Sequence, residues 1–177
     1  MRTESYSEAR RASSALRNVA YVAAMGTEIE RKFLVDPTWQ PRDAGTLYKQ
    51  GYLNSAKERV VRVRIAGAEA KLTIKGPSVG ITRPEFEYAI TLADAQTMLD
   101  ELCEQPLVEK TRHLEQHAGH SFEVDVFAGA NQGLVIAELE LASADELFEK
   151  PSWLGADVSH DARYFNSNLM RKPFSTW

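Results

Sequence analysis

From Thr27 onward, charged or polar residues and apolar residues alternate one by one, and this two-residue period constrains the fold more than any other feature of the chain. Successive side chains of an extended strand point to opposite faces, so the pattern predicts strands with two unlike faces. It recurs at about 27–35, 46–54, 59–66, 69–76, 83–91, 107–116, 120–127 and 134–141. Hairpin-length connections at 66–68 and 117–119 make neighbouring strands antiparallel, and Gly76-Pro77 and 129–133 read as turns. Helical periodicity is confined to 94–103, where Ala95, Met98, Leu99 and Leu102 share a face, and to two short stretches at 144–148 and 162–169. No repeat, low-complexity tract or linker divides residues 25–177, which read as one domain.

The charges fall on one side of each strand. The first carries Glu28, Glu30 and Lys32 on one face and Ile29, Arg31 and Phe33 on the other. The same step gives Arg62 and Arg64, then Lys71, Thr73 and Lys75, then Glu85 and Glu87. It continues with Lys110 and Arg112, Glu123 and Asp125, and Glu138 and Glu140. The strand at 46–54 is the exception, with Tyr48, Gln50 and Tyr52 at the alternate positions. A sheet with one solvated face is the ordinary cause of alternation. Two features argue against it here. Signs are sorted by strand, although like charges two residues apart on one face repel. The opposite faces are also too apolar for three short helices to cover.

A closed eight-stranded antiparallel β-barrel with a charged interior, flanked by a few helices in an α+β arrangement, accounts for both features and leaves no open edge. So many buried charges require a wet lumen and balancing ions. Clustered carboxylates suit hard divalent cations such as Mg²⁺ or Mn²⁺, and clustered Arg and Lys suit a polyanion, most naturally phosphates.

The remaining composition sets the setting. The 177 residues carry 21 basic and 25 acidic side chains, a formal net charge of −4 that disfavours nucleic-acid and membrane partners. A single cysteine, Cys103, excludes an internal disulfide and a thiolate metal cage, and no apolar run has the length of a membrane span or signal peptide. The expected setting is therefore the cytoplasm. Residues 1–24 read as a loosely held extension with Arg2, Arg10, Arg11 and Arg17, and without them the body carries 17 bases against 23 acids.

The motifs "EIERKFLV", "QGYL", "VRVR", "LTIKG", "EFEY", "EKTRH", "FEVDVF" and "AELELAS", in this order, resemble the CYTH or triphosphate tunnel metalloenzyme superfamily over 26–170. The first contains its ExExK signature as Glu28, Glu30 and Lys32. The resemblance implies a closed tunnel that binds a triphosphate with divalent metal and hydrolyses or cyclises it. It implies Glu28, Glu30, Asp125, Glu138 and Glu140 as metal-binding acids and Lys32, Arg62, Arg64, Lys75 and Arg112 as substrate-binding bases. Glu28, Glu30, Lys32 and Glu140 are the expected catalytic set, while Glu85 and Glu87 match a strand whose part varies among members. Hydrolysis would proceed by in-line attack of a water on the terminal phosphorus, with no covalent nucleophile, and no P-loop or GxSxG elbow is present. Inorganic triphosphate is the leading substrate. The alternatives are a nucleoside or thiamine triphosphatase, a class IV adenylate cyclase and a non-catalytic polyphosphate-binding module.

Other residues read structurally. His113, His117 and His120 cluster around one hairpin, where the turn at Gly119 is expected to put at least two of them at a solvated tip, and hard cations prefer oxygen to such a cluster. Cys103 and the three tryptophans read as packing residues, Asp161 as a helix N-cap and Arg163 as part of a surface ion pair. An apolar barrel exterior with little helical cover suits a homodimer.

Overall fold

The computed structural model describes residues 24–177. The expectation of an extension over residues 1–24 therefore falls, apart from Ala24, outside the described residues. Eight antiparallel strands form the barrel: β1 (Ala24–Val35), β2 (Thr46–Asn54), β3 (Val60–Ala66), β4 (Glu69–Lys75), β5 (Thr82–Ile90), β6 (Glu104–His117), β7 (His120–Phe127) and β8 (Val135–Glu140). Their order around the sheet is β5-β4-β3-β2-β6-β7-β8-β1, and pairing of β5 with β1 closes the ring. The closing register runs from Ala24 opposite Glu87 to Ile29 opposite Thr82. All eight strands lie where the two-residue period puts them, and the largest shifts are the starts of β1 and β6, each three residues earlier than expected.

The side chains divide between the faces as the pattern requires. Lys32, Arg62, Lys75, Lys110, Arg112, Asp125 and Glu138 are all buried, although each stands on the charged face. The outward residues pack into two apolar clusters. In one, Val63, Ala70, Ala95, Leu99 and Cys103 lie beneath α1 (Leu92–Thr97) and a π-helical turn, Met98–Leu102, that continues it. Thr91 caps α1 by accepting a hydrogen bond from the Asp94 amide. Here the glycine of "QGYL" has a steric reason: a Cβ on Gly51 would stand 2.7 Å from Cys103 Cβ and from Leu107 Cδ2.

The second outer cluster joins Phe33, Phe122, Val124, Ala137, Leu139 and Leu141, and its cover departs from expectation. Residues 144–148 form no helix. The Glu146 carboxylate instead accepts hydrogen bonds from the Ala142 amide and from His120. Phe148 packs edge-to-face on Phe33 and Phe122, at 5.7 and 6.0 Å between ring centroids. A ninth strand, β9 (Leu154–Asp157), follows and pairs with the end of β1. A Cβ at Gly155 would stand 2.9 Å from the Leu34 carbonyl oxygen, so glycine permits this approach. Beside β9, Arg31 bonds to Asp157 and lies 5.2 Å from the Phe33 ring centroid.

The stretch 162–169, expected as one helix, is broken by extended backbone at Phe165 (φ −75°, ψ 131°). A 3₁₀ turn at Ala162–Tyr164 precedes the break and α2 (Asn166–Arg171) follows it. The Asp161 side chain caps the first turn by accepting from the Arg163 amide, and Arg163 pairs with it at 2.6 Å. Leu169 and Met170 of α2 are buried against Tyr52, Val60, Val108, Phe127, Leu134 and Ile136. Those inward residues lie toward one end of the barrel, so α2 stands at that end. Among the described residues no helix is long and apolar enough to cross a membrane.

Candidate active site

The alternation of β1 brings Glu28, Glu30 and Lys32 to the lumen, and the β1–β8 register sets Glu30 opposite Glu140 and Lys32 opposite Glu138. These residues and the bases of β3, β4 and β6 line one cavity of about 700 Å³. The ten substrate and metal candidates all line it except Asp125, which is fully buried behind the wall.

Internal ion pairs organise the lumen. Lys32 Nζ bonds Glu30 at 2.8 Å and also bonds Glu138. Lys75 Nζ reaches both oxygens of Glu28, at 2.8 and 2.9 Å, and Arg83 Nε donates to the same carboxylate at 2.6 Å. Arg112 donates to Asp125 at 2.7 and 2.6 Å and to Glu138 at 2.6 Å, and also bonds Glu123. Glu87 accepts from Lys71 at 2.7 Å and from Arg64 and Thr73 at 3.0 Å. The strand β2, uncharged on its inward face, has a role here too. The Tyr48 ring lies 5.0, 5.5 and 6.0 Å from the cationic groups of Arg112, Arg64 and Lys110, giving clustered cations an aromatic face in addition to their carboxylate partners.

The electrostatics follow. Burial alone would raise the Glu28 carboxyl, but Lys75 and Arg83 overcome it and hold the group at about 2. Glu30 moves the other way: burial and the neighbouring Glu138 and Glu28 raise it, and Lys32 offsets only part of this. Burial opposes the charge of Lys32, yet Glu138 and Glu30 carry its pKa above the usual lysine value. Lys75 and Lys110 shift down, through burial first and then through Arg62 and Arg112 respectively. Burial pushes the Tyr52 phenol up to about 12, so it stays a protonated donor, and its oxygen accepts from Gln50 Nε2 at 3.0 Å.

The four lumen acids Glu28, Glu30, Glu138 and Glu140 fit a hard divalent cation in donor type. The crowding that raises Glu30 is repulsion that a cation relieves, and Glu140 is exposed with no ion pair or hydrogen bond among the described residues. Lys32, Lys75 and Arg83 hold the other three, so among the described residues no group of three His, Cys, Asp or Glu side chains is gathered around one ligating point. Asp125, expected among the metal acids, has both oxygens engaged by Arg112 and Lys110 and acts as the anchor of Arg112.

His113, His117 and His120 lie outside this site, with His117 and His120 opposite each other at the β6–β7 hairpin. His113 is buried against Trp39 and bonds Asp43 at 2.7 Å, while His117 and His120 pair with Glu149 and Glu146 at 3.4 and 2.9 Å. They clasp loops and do not form the solvated tip expected from Gly119. Sequence reasoning also missed Arg83, which extends the step of Glu85 and Glu87 by two residues. Nothing in the sequence pattern of Ser159 and α2 marks them as part of the cavity wall.

A closed antiparallel barrel whose lumen pairs clustered carboxylates with clustered lysines and arginines is a tunnel protein fitted to a polyanion and hard cations. The CYTH domain profile matches residues 26–174, and the chain belongs to the CYTH domain family. It is 46% identical over 154 residues to an inorganic triphosphatase of Acetivibrio thermocellus, covering 86% of this chain and 99% of that protein. It is 37% identical over 147 residues to an inorganic triphosphatase of Nitrosomonas europaea, covering 81% of this chain and 96% of that one. A crystal structure of an inorganic triphosphatase superposes with a TM-score of 0.60 at 36% identity, covering 82% of this chain and 95% of its own. The fold also matches a structure of a putative adenylate cyclase from Bacillus halodurans, with a TM-score of 0.54 at 16% identity over 68% of this chain and 84% of that one.

Proposed function

We propose that this protein hydrolyses inorganic triphosphate to diphosphate and phosphate inside the barrel, with Mg²⁺ or Mn²⁺. The observation that carries the reading is the cavity wall. Carboxylates step along β1 and β8, bases step along β3, β4 and β6, and all face one enclosed space of about 700 Å³. Two relatives at 46% and 37% identity that are named inorganic triphosphatases support the same substrate.

In this reading Arg62, Arg64, Lys75 and Arg112 bind the non-bridging oxygens, and Asp125 holds Arg112 in line. Lys32, kept charged by Glu30 and Glu138, neutralises charge on the transferred phosphoryl group. Glu28, Glu30, Glu138 and Glu140 are the residues that would hold divalent metal, which when bound supplies Lewis-acid polarisation of the phosphate oxygens. Glu140, free of internal partners, orients the attacking water. That water bonds to the terminal phosphorus and gives a proton to the Glu140 carboxylate, while the bridging P–O bond breaks and diphosphate leaves with the bond's electron pair.

The test is phosphate release and cyclic AMP formation from inorganic triphosphate, thiamine triphosphate and ATP, each with Mg²⁺, Mn²⁺ or a chelator. The expected outcome is metal-dependent phosphate release that is fastest on inorganic triphosphate. Turnover that survives chelation overturns the metal assignment, and preference for ATP or thiamine triphosphate overturns the substrate. Absence of any turnover leaves a binding protein in place of an enzyme.

A further inference from the structure

The lumen bases are not alike in how their charge is balanced. Of the ten lysines and arginines that line the cavity, eight are ion-paired to a carboxylate, as Lys75 is to Glu28 and Arg64 to Glu87. The other two, Lys57 and Arg171, have no carboxylate partner among the described residues. They come from separate parts of the chain, the β2–β3 loop and the last turn of α2. Both stand at the same end of the barrel, since that loop follows the end of β2 and α2 packs on Tyr52 and Val60.

Arg171 is placed rather than loose. Its Nη2 donates to Ser55 Oγ at 2.5 Å, and the Ser55 amide donates to Glu104 at 3.1 Å. The Ser55 hydroxyl also donates to Glu104, so this carboxylate reaches the guanidinium through a hydroxyl, which fixes the guanidinium's position without a direct ion pair. The rest of this mouth is neutral where α2 and its approach supply it, with Ser159, Asn166, Ser167 and Asn168 on the wall. At the opposite mouth the bases Arg64, Lys71 and Arg112 are tied to Glu87 or Glu123. Among the described residues that line the cavity, the bases without a carboxylate partner therefore stand at one end, where an anion approaching from solvent meets them first.

We propose that Lys57 and Arg171 form an anion-capture site at the α2 mouth, through which a polyphosphate enters the tunnel before it displaces the paired carboxylates deeper inside. The proposal rests on the triphosphatase reading for its substrate but not for its geometry. Capture by unpaired charge accelerates association and is screened by salt, whereas the paired bases act at short range after entry.

The test uses the full chain with inorganic tripolyphosphate, in wild type, Lys57→Gln, Arg171→Gln and the double variant. It measures kcat and KM over a range of salt concentrations, with calorimetric Kd beside them. Each single variant is expected to lower kcat/KM roughly three- to tenfold at low salt, by the scale of electrostatic steering, with kcat within about twofold. The dependence of kcat/KM on salt should flatten most in the double variant. Arg163→Gln, at an exposed arginine paired with Asp161 outside the cavity, should change neither quantity.

An unchanged salt dependence in the double variant overturns the capture site. So does equal flattening in Arg163→Gln, or a loss confined to kcat. If wild type binds tripolyphosphate without hydrolysing it, the hydrolytic reading fails and the mouth is judged on Kd, which must rise in both variants. If wild type hydrolyses and the variants match it, the mouth alone fails.

Discussion

Lys32 and Phe33 are neighbours on β1, both almost wholly buried, and they sit in opposite kinds of interior. Phe33 faces outward into an apolar cluster with Phe122, Val124 and Leu139, where burial itself is favourable. Lys32 faces inward to Glu30 and Glu138, where taking charges from water costs free energy that the ion pairs only offset. In an ordinary barrel these would be core and surface. Here the core function has moved to the outside of the sheet, and the inside is kept as a set of balanced charges that a ligand can rearrange. Stability and chemistry are thereby divided between the two faces of the same strands, so substitutions on each face should have separable effects.

The largest separation is expected at Glu140. Because its carboxylate has no partner among the described residues, Glu140→Gln should lower turnover of inorganic triphosphate by about a hundredfold or more, the scale of losing a preorganised electrostatic group. Its stability to urea should stay within about 0.5 kcal/mol of wild type. A variant that keeps near-normal turnover would break the assignment of chemistry to the lumen. On the outer face the expectation reverses. Phe122→Ala should cost about 3–5 kcal/mol of unfolding free energy, and the protein that remains folded should keep its kcat. Equal losses of kcat and stability there would show that the two faces are not independent.

The smallest effect is in acid. Glu28 sits at about 2 in the fold against an ordinary 4.5, so its ion pairs stabilise fully above about pH 4.5 and are lost as pH falls toward 2. Glu30 and Glu85, raised by burial, bind protons more tightly when folded and so favour the fold in the same direction of falling pH. The two tendencies partly cancel. Wild type and Glu28→Gln compared by urea unfolding should differ most near pH 6 and converge toward pH 2, and parallel curves would remove Glu28 from the balance.

Most of the barrel was legible in the sequence because one local rule, inward charge and outward hydrophobe, repeats in nearly every strand. What was illegible depends on contacts distant in sequence. β9 is only Leu154–Asp157, without alternation, and is held by backbone pairing to β1. Residues 144–148 have a helical pattern but spend Glu146 on His120 and Phe148 on the aromatic cluster. The charges of the site were legible individually, but their partners were not. Asp125 and Glu138 share a parity and a sign, yet Lys110 and Arg112 claim both oxygens of Asp125, while Glu138 lines the cavity. Arg83 keeps the two-residue step of Glu85 and Glu87 but not their sign, so a rule of one sign per strand does not reach it.

The division of β1 between partners also bears on how the molecule forms. Its first half pairs with β5 and its second half with β8 on one edge and β9 on the other. It is the earliest of these strands in the chain, yet its ladder is complete only when the last strands are present. The strand bearing Glu28, Glu30 and Lys32 therefore waits through synthesis with part of its backbone unpaired, and completing the ring sets Ala24 opposite Glu87 on one side and Glu30 opposite Glu140 on the other. Such non-local pairing is slow, and it leaves the unclosed barrel with edges open to other chains. The seam that assembles the site is thus also where an arrested chain is most exposed to aggregation.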